Sequence, residues 1–136
     1  MDITQLLRLT IERGASDLHL VANYYPTIRV NGELIQLKTH EILTPENLKT
    51  MIMSLLNSEQ KERLHTELEL DFGHNFEEHR FRVNIYSAKT NFSASFRLIP
   101  KTIRTIEELG LPKILHNFTQ LKQGFILVTG PTGEGK

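Results

Sequence analysis

The sequence predicts an α+β domain built on an antiparallel sheet, followed from about residue 100 by the beginning of an α/β unit. Three observations carry this prediction: segments with alternating apolar residues, segments with apolar residues at helical spacing between them, and one unbroken apolar run near the end. Alternation is typical of strands with one buried face, whereas a central parallel strand is apolar on both faces. The predicted organisation is a first domain over 1–100, a linker with short helices over 101–123, and the start of a second domain over 124–136.

The first elements are a helix, a strand and a hairpin. Apolar residues at helical spacing predict a helix over 3–11, which Gly14 ends because glycine readily adopts the left-handed conformation. Alternation predicts a strand over 17–21. Asn31-Gly32 then lies between two short alternating segments and predicts a tight turn between two strands.

Two helices and a strand follow. Thr44 and Pro45 form a start signal, a capping hydroxyl followed by proline at the first helical position, for an amphipathic helix. Ser58 is predicted to cap a second, shorter helix that runs through Leu64. The next alternating apolar residues, from Leu68 on, predict another strand.

The two clearest strands surround a turn over 88–91. If they pair as a hairpin, apolar residues face each other in three pairs: Phe81 with Leu98, Val83 with Phe96, and Ile85 with Ala94. The same register places Arg82 directly opposite Arg97 on the polar face, where like charges destabilise a sheet. Two interpretations remain open. The guanidinium groups either point into solvent or pair with acids such as Glu69 or Asp71, or they stabilise the charge of a triphosphate as arginine fingers do.

The last part of the chain is predicted to contain two short helices, a strand and a phosphate-binding loop. Thr105 and Glu108 have the spacing of a capping box for the first short helix, and the second short helix is predicted over 112–118. The run Phe125–Thr129 is apolar without alternation and is predicted to be a central parallel strand. It leads directly into G-x-x-x-x-G-K, which is the pattern of a phosphate-binding loop.

The loop is predicted to bind the phosphates of ATP. Its residues are Gly130, Pro131, Thr132, Gly133, Glu134, Gly135 and Lys136. Glycines let successive backbone N–H groups point at one anion, and the lysine reaches the β- and γ-phosphates. A glycine-rich turn without function is the alternative, which the preceding strand disfavours. A Ser or Thr that holds Mg²⁺ is expected directly after Lys136, so the 136-residue chain alone is predicted not to hydrolyse ATP.

Composition excludes several classes of function. Sixteen basic residues balance sixteen acidic ones, and there is no basic stripe, which disfavours nucleic acid as a partner. There are no cysteines and hence no disulfide framework, and no apolar run approaches the roughly 20 residues of a membrane span. His74 and His79, with two glutamates between them, could hold a metal, but exposed polar residues are the favoured interpretation. For Asp17 and His19 a structural or interface role is favoured.

Taken together, the motifs resemble those of the retraction ATPases of type IV pili, within the secretion-ATPase superfamily. The matching stretches are Ala15–Leu20, Ile28–Gly32, Arg80–Asn84, Phe96–Pro100, Leu109–Pro112 and Gly124–Lys136. Their order and spacing are those of the family, so the resemblance covers nearly the whole chain. One departure is Glu134, which stands where the family usually has serine.

The resemblance implies a PAS-like N-terminal domain over 1–100 and a RecA-like ATPase core of which only the first strand and loop are included. It implies a hexamer at the cytoplasmic face of the inner membrane that uses ATP and Mg²⁺ and acts on the pilus platform protein, reaching the membrane only through partners. Arg82 and Arg97 match the family's arginines that approach nucleotide phosphates, and Arg80 is a further candidate. The alternatives are an assembly or type II secretion ATPase, and a stand-alone PAS-like oligomerisation module.

Overall fold

The structure is a computed structural model, and it describes residues 2–88 and 91–130. The chain divides into two compact units, residues 1–101 and 102–136. Among the described residues, the first unit has three helices and six strands, and the second has one short helix. In chain order the elements are α1 (Ile3–Glu12), β1 (Asp17–Val21), β2 (Thr27–Val30), β3 (Glu33–Gln36), α2 (Pro45–Leu55), α3 (Ser58–Glu67), β4 (Glu69–Phe76), β5 (His79–Ala88), β6 (Asn91–Ile99) and α4 (Ile114–Thr119).

The six strands form one antiparallel sheet in the order β3-β2-β1-β6-β5-β4, which confirms the predicted α+β class. The predicted register of the last hairpin is also confirmed, since Phe81 pairs with Leu98, Val83 with Phe96, and Ile85 with Ala94. The sheet joins two local groups of strands through one long-range pairing, β1 with β6. That pairing places the first strand of the chain in the middle of the sheet.

One face of the sheet forms the core together with α1, α2 and α3. Because strand residues alternate between faces, the same apolar alternation that predicted the strands supplies this face. The buried apolar residues of the strands are Leu18, Leu20, Ile28, Leu70, Phe81, Val83, Ile85, Ala94 and Phe96, and those of the helices are Ile3, Leu6, Leu7, Leu48, Met51, Ile52 and Leu64. Full burial of each large side chain stabilises the fold by about 1.5–3 kcal/mol.

The helix ends follow the capping signals, with one correction. Gly14 has a φ of +59°, as a left-handed stop requires, and the Thr44 hydroxyl accepts a hydrogen bond from the Asn47 N–H at 3.2 Å. The prediction that Ser58 caps α3 is wrong, because Asn57 is the cap and accepts from the Gln60 N–H at 2.8 Å. An Asn amide oxygen satisfies the orphan N–H as well as a hydroxyl does, so the true cap lies one residue earlier.

The strand predicted from Leu68 begins one residue later, at Glu69. Leu68 ends α3 in the left-handed conformation with a φ of +60°, and its N–H donates to the Leu64 carbonyl at 3.1 Å. Its side chain is 56% exposed, so it does not belong to the buried alternation that starts at Leu70. The apolar pattern alone could not show that the chain is still leaving the helix at this point.

The second unit differs from its prediction in two places. Thr105 and Glu108 form the predicted reciprocal hydrogen bonds, at 2.8 and 3.2 Å, but residues 106–110 form turns and not a helix. The run Phe125–Thr129 is not a strand, because no segment of the described chain pairs with it; Phe125 is 86% exposed. A parallel strand requires a neighbour that supplies its hydrogen bonds. No helix within 2–88 and 91–130 has the length and apolar character needed to cross a membrane.

Candidate functional site: two arginine–aspartate pairs on the polar face of the sheet

The face of the sheet opposite the core is polar, and here we call it the polar face. It is formed by the residues of β1, β4, β5 and β6 that alternate with the core residues. They surround a shallow depression of about 390 Å³. Its lining residues are Asp17, His19, Glu69, Asp71, Arg82, Asn84, Ser95 and Arg97.

The sheet register brings the two predicted arginines together at this depression. Arg82 lies directly opposite Arg97 in the pairing of β5 with β6, as the sequence predicted. Asp17 lies opposite Arg97 on the other side, and Arg29 of β2 lies opposite Asp17. Three guanidinium groups and one carboxylate therefore occupy neighbouring positions in one row across four strands.

Arg97 is held by Asp17. Its Nε donates to Asp17 Oδ1 at 2.9 Å, while Arg29 Nε lies 3.4 Å from Oδ2 and the Ser16 hydroxyl donates to Oδ2 at 2.8 Å. The Asp17 side chain is 8% exposed and that of Arg97 is 70% exposed. The carboxylate is therefore a buried anchor, and the end of the arginine side chain reaches into solvent.

The ionisation of Asp17 is set by two opposing effects. Burial disfavours the charged carboxylate and would raise its pKa, but hydrogen bonds from Arg97 and Ser16 and the positive charge of Arg97 hold the pKa of Asp17 below its ordinary value. The group is therefore a carboxylate at neutral pH. It compensates part of the repulsion between the opposed arginines.

Arg82 is held differently, by Asp71 of β4. Its Nε lies 3.1 and 3.0 Å from the two carboxylate oxygens, and its Nη2 donates to Oδ2 at 2.9 Å. Both side chains are exposed, at 65% for Arg82 and 41% for Asp71. The hydrogen bonds and charge of Asp71 raise the pKa of the Arg82 guanidinium above its ordinary value. Asp71 was one of the two partners that the sequence suggested.

His19 lies two residues after Asp17 on β1 and lines the same depression. Its Nε2 is buried and has no hydrogen-bond partner among residues 2–88 and 91–130. Burial lowers the pKa of His19, although the nearby Asp17 carboxylate partly opposes this. The imidazole is therefore neutral at neutral pH, with one polar nitrogen directed into a buried environment.

Arg80 lies next to this group on the polar face, against the bare backbone of Gly73. A methyl group on Gly73 would lie 2.8 Å from Arg80 Nη2, closer than a Cβ atom tolerates. Glycine at this position therefore lets the guanidinium lie flat on β4. The structure places all three candidate arginines of the hairpin on one surface.

The histidine and glutamate residues around the turn after β4 have other partners. Glu77 pairs with Arg8 at 2.7 Å, and Glu78 pairs with Lys101 at 2.7 Å. No group of three or more His, Asp or Glu side chains in the described part of the chain is arranged to hold a metal ion. The carboxylates that a metal at His74 or His79 would need are engaged in ion pairs.

The predicted phosphate loop lies almost wholly outside the described residues. Gly130 is the last described residue, and the positions Pro131, Thr132, Gly133, Glu134, Gly135 and Lys136 follow it. Phosphate binding by the loop, and the role of Arg82 and Arg97 beside it, stay predictions from the sequence. Asp17 as the partner of Arg97 was missed by sequence reasoning, because the two residues are 80 positions apart and only the pairing of β1 with β6 joins them.

Comparison with known proteins agrees with the sequence motifs. The chain is 39% identical to the type IV pilus retraction ATPase PilT of Pseudomonas aeruginosa over its whole length. It is homologous to PilT. It covers 40% of that relative, and it is 35% identical to a twitching motility protein of Neisseria gonorrhoeae, of which it covers 36%. The chain thus spans well under half the length of these relatives and corresponds to the N-terminal part of PilT.

Comparison with solved structures indicates the same relationship to PilT as the sequence comparison does. A crystal structure of the pilus retraction motor PilT with bound ADP superposes on the whole chain with a TM-score of 0.81 at 34% identity, and the chain covers 40% of that structure. No family model matches the chain. The mixed α/β structure with its six-stranded antiparallel sheet is therefore the N-terminal fold of a PilT homologue.

Proposed function

We propose that this chain is the N-terminal part of a motor ATPase that powers the retraction of type IV pili and hence twitching motility. The observation that carries the proposal is the combination of homology to PilT along the whole chain with the phosphate-loop pattern that begins at Gly130. Because the chain spans about 40% of PilT, the motor activity is proposed for the intact protein. The 136-residue chain alone is expected not to hydrolyse ATP.

The proposed ligand is ATP with Mg²⁺. The loop of Gly130–Lys136 would hold the phosphates through its backbone N–H groups and its lysine, and the expected Ser or Thr after Lys136 would hold Mg²⁺. The related PilT structure contains bound ADP, which supports nucleotide binding by the intact protein. Glu134 occupies a variable position of the loop pattern, so the loop is still expected to form.

The proposed role of Arg82 and Arg97 is to stabilise the phosphates of a nucleotide held by another subunit of a hexameric ring. A subunit interface would exclude water from the polar face, and positive charge in such an environment stabilises the developing charge of the transition state. Their opposed position supports this role, because like charges facing each other across a hairpin are tolerated best when an anion lies between them.

The proposed setting follows from the same homology. The intact protein would act at the cytoplasmic face of the inner membrane on the platform protein of the pilus, as a peripheral component held there by its partners. The balanced charge of the chain supports a protein partner over nucleic acid. Sequencing of the coding region beyond Lys136 is the simplest check, since a Ser or Thr codon and a following helix are expected.

The decisive experiment measures ATP turnover and nucleotide affinity separately in the intact protein. Arg82→Ala and Arg97→Ala should each lower kcat by roughly 10²- to 10³-fold while changing nucleotide affinity much less. Lys136→Ala should instead abolish binding of the triphosphate.

Arg63→Ala is the matched control, because Arg63 is an exposed arginine on α3 that pairs only with Glu67 in the described structure. It should leave both ATP turnover and nucleotide affinity unchanged. Unchanged turnover in both polar-face variants would remove the arginines from the mechanism. An intact protein without ATPase activity would favour a stand-alone oligomerisation module.

A further inference from the structure

The two arginine–aspartate pairs of the polar face are built in different ways, although the arginines are direct neighbours. Arg97 makes its hydrogen bond through Nε, to a carboxylate that is 8% exposed. Arg82 uses Nε and Nη2 together, on a carboxylate that is 41% exposed. The difference lies in which nitrogens are occupied and in whether the acid can move away.

In the first pair the acid is fixed. Asp17 is buried between its neighbouring strands and is also held by Ser16 and Arg29, so its position does not depend on Arg97 alone. Neither Nη atom of Arg97 hydrogen-bonds to any residue in the ranges 2–88 and 91–130. The buried carboxylate therefore fixes the inner edge of the guanidinium and leaves its outer nitrogens available to an oxyanion.

In the second pair the acid occupies the nitrogens that an oxyanion would use. A carboxylate and a phosphate both bind guanidinium in a bidentate manner through two parallel N–H groups. Asp71 engages Nε and Nη2 of Arg82 in this way. Exposed ion pairs of this kind contribute little stability, so the contact is readily exchanged.

We propose that Asp17 is a positioning residue that aims Arg97, and that Asp71 is an internal competitor that an incoming phosphate group displaces from Arg82. The identity of the anion as a nucleotide phosphate rests on the proposed function, whereas the opposite roles of the two acids rest on the contacts. The acids thereby make one arginine available from the start and release the other only when the anion is bound.

The test is binding of tripolyphosphate to the 136-residue chain at low salt, followed by NMR of the arginine Nε–Hε signals. In the unchanged protein, tripolyphosphate should shift the Arg82 Nε–Hε signal as its bond to Asp71 is exchanged. The Arg97 Nε–Hε signal should shift much less and remain protected from exchange with solvent, because its bond to Asp17 persists.

Substitution of the acids should act in opposite directions. Asp71→Asn should tighten tripolyphosphate binding about two- to fivefold. This is the change expected when the anion no longer has to break an exposed ion pair, because such a pair is weak. Asp17→Asn should weaken it roughly two- to tenfold, because Arg97 then has to be ordered on binding. Both changes remove one negative charge, so a simple change in net charge predicts tighter binding for both.

Glu69→Gln is the matched control, because Glu69 lies on the same face and accepts from the Asn84 amide at 3.0 Å without holding an arginine. It should change affinity less than Asp71→Asn does. Tighter binding by Asp17→Asn in a folded protein would overturn its positioning role. If Asp17→Asn does not fold, solvent exchange at Arg97 Nε–Hε in the unchanged protein decides the same point.

The outcomes also separate this inference from the proposed function. If tripolyphosphate shifts neither arginine signal, the polar face is not an anion site, and the proposed phosphate contact fails together with this inference. If it binds at Arg97 while the Arg82–Asp71 signal is unchanged, only the displacement of Asp71 is wrong. Turnover of ATP by the intact protein does not enter the measurement.

Discussion

The two faces of the six-stranded sheet are made of the same strands but depend on different interactions. The core face is apolar and mostly buried, with Phe81 and Phe96 both at 0% exposure. The polar face carries opposed arginines and three acids, Asp17, Glu69 and Asp71. The Asp17 side chain is 8% exposed and that of Arg97 is 70% exposed. Because side chains alternate along a strand, packing of the core face fixes the register and thereby dictates which charges meet on the other face.

The difference teaches that the polar face is free to carry function. A change on the core face leaves a cavity in a densely packed interior, whereas a change on the polar face mostly exchanges one solvated contact for another. Asp17 differs from the exposed charged residues of the polar face, because its carboxylate is buried. The following four predictions test this contrast, from the largest expected effect to the smallest.

The largest effect is expected from Phe96→Ala on the core face. It should lower the free energy of unfolding by about 3–5 kcal/mol, since the aromatic side chain is fully buried and leaves a cavity. Urea denaturation followed by circular dichroism measures this. Ser95 directly precedes Phe96 and lies on the polar face, so Ser95→Ala is the control and should cost about 0.5 kcal/mol or less. Equal effects of the two substitutions would contradict the assignment of faces.

A smaller effect separates the two arginines. Arg97→Ala should destabilise the fold by about 1 kcal/mol or more, because it removes a main partner of the buried Asp17 carboxylate. Arg82→Ala should leave the unfolding midpoint nearly unchanged, because Asp71 is exposed and becomes hydrated. Urea denaturation of both variants measures the two losses of stability. A larger loss for Arg82→Ala would show that burial of the acidic partner does not determine the size of the effect.

His19 should make stability depend on pH. Its pKa is lowered by burial, so below the ordinary value of 6.5 the unfolded chain takes up a proton before the folded one does. The contribution of His19 to the free energy of unfolding is therefore fully present above pH 6.5. It decreases as the pH falls toward the pKa of His19 in the folded protein. His74 contributes in the same direction, because burial lowers its pKa too.

The test compares unfolding at pH 7.5 and pH 5.5 in the unchanged protein and in His19→Gln. The variant should lose less stability between these two pH values than the unchanged protein. His40→Gln, in the turn that follows β3, is the control and should keep the original dependence. An NMR titration that places the pKa of His19 above 6.5 would reverse the expected sign.

The smallest effect is expected from Gly73→Ala. The new methyl group would collide with Arg80 Nη2, but this is the end of a flexible exposed side chain that can move aside. The free energy of unfolding should change by no more than about 0.5 kcal/mol. Gly14→Ala makes the contrast, because a φ of +59° is strained for alanine and should cost about 1 kcal/mol in the same measurement. A large loss for Gly73→Ala would mean that Arg80 is rigidly held.

The sequence by itself determined the features that depend on neighbouring residues. Alternation along β5 and β6 predicted their pairing residue by residue, including Arg82 opposite Arg97, because a shift by one residue would turn the apolar side chains out of the core. The pattern G-x-x-x-x-G-K and the motifs shared with the PilT family indicated the same relationship that the comparisons show.

Only the tertiary structure decided how distant segments meet. The alternation over 17–21 showed which residues of β1 share a face, but nothing local showed that β1 pairs with β6, so the contact between Asp17 and Arg97 was not predictable. The predicted strand Phe125–Thr129 also shows that strand formation depends on long-range pairing. Its apolar composition, without a pairing segment, gives no strand in the described structure. Local patterns set which side of each strand is apolar, and long-range pairing, which depends on the free energy of the whole sheet, sets which charges become partners.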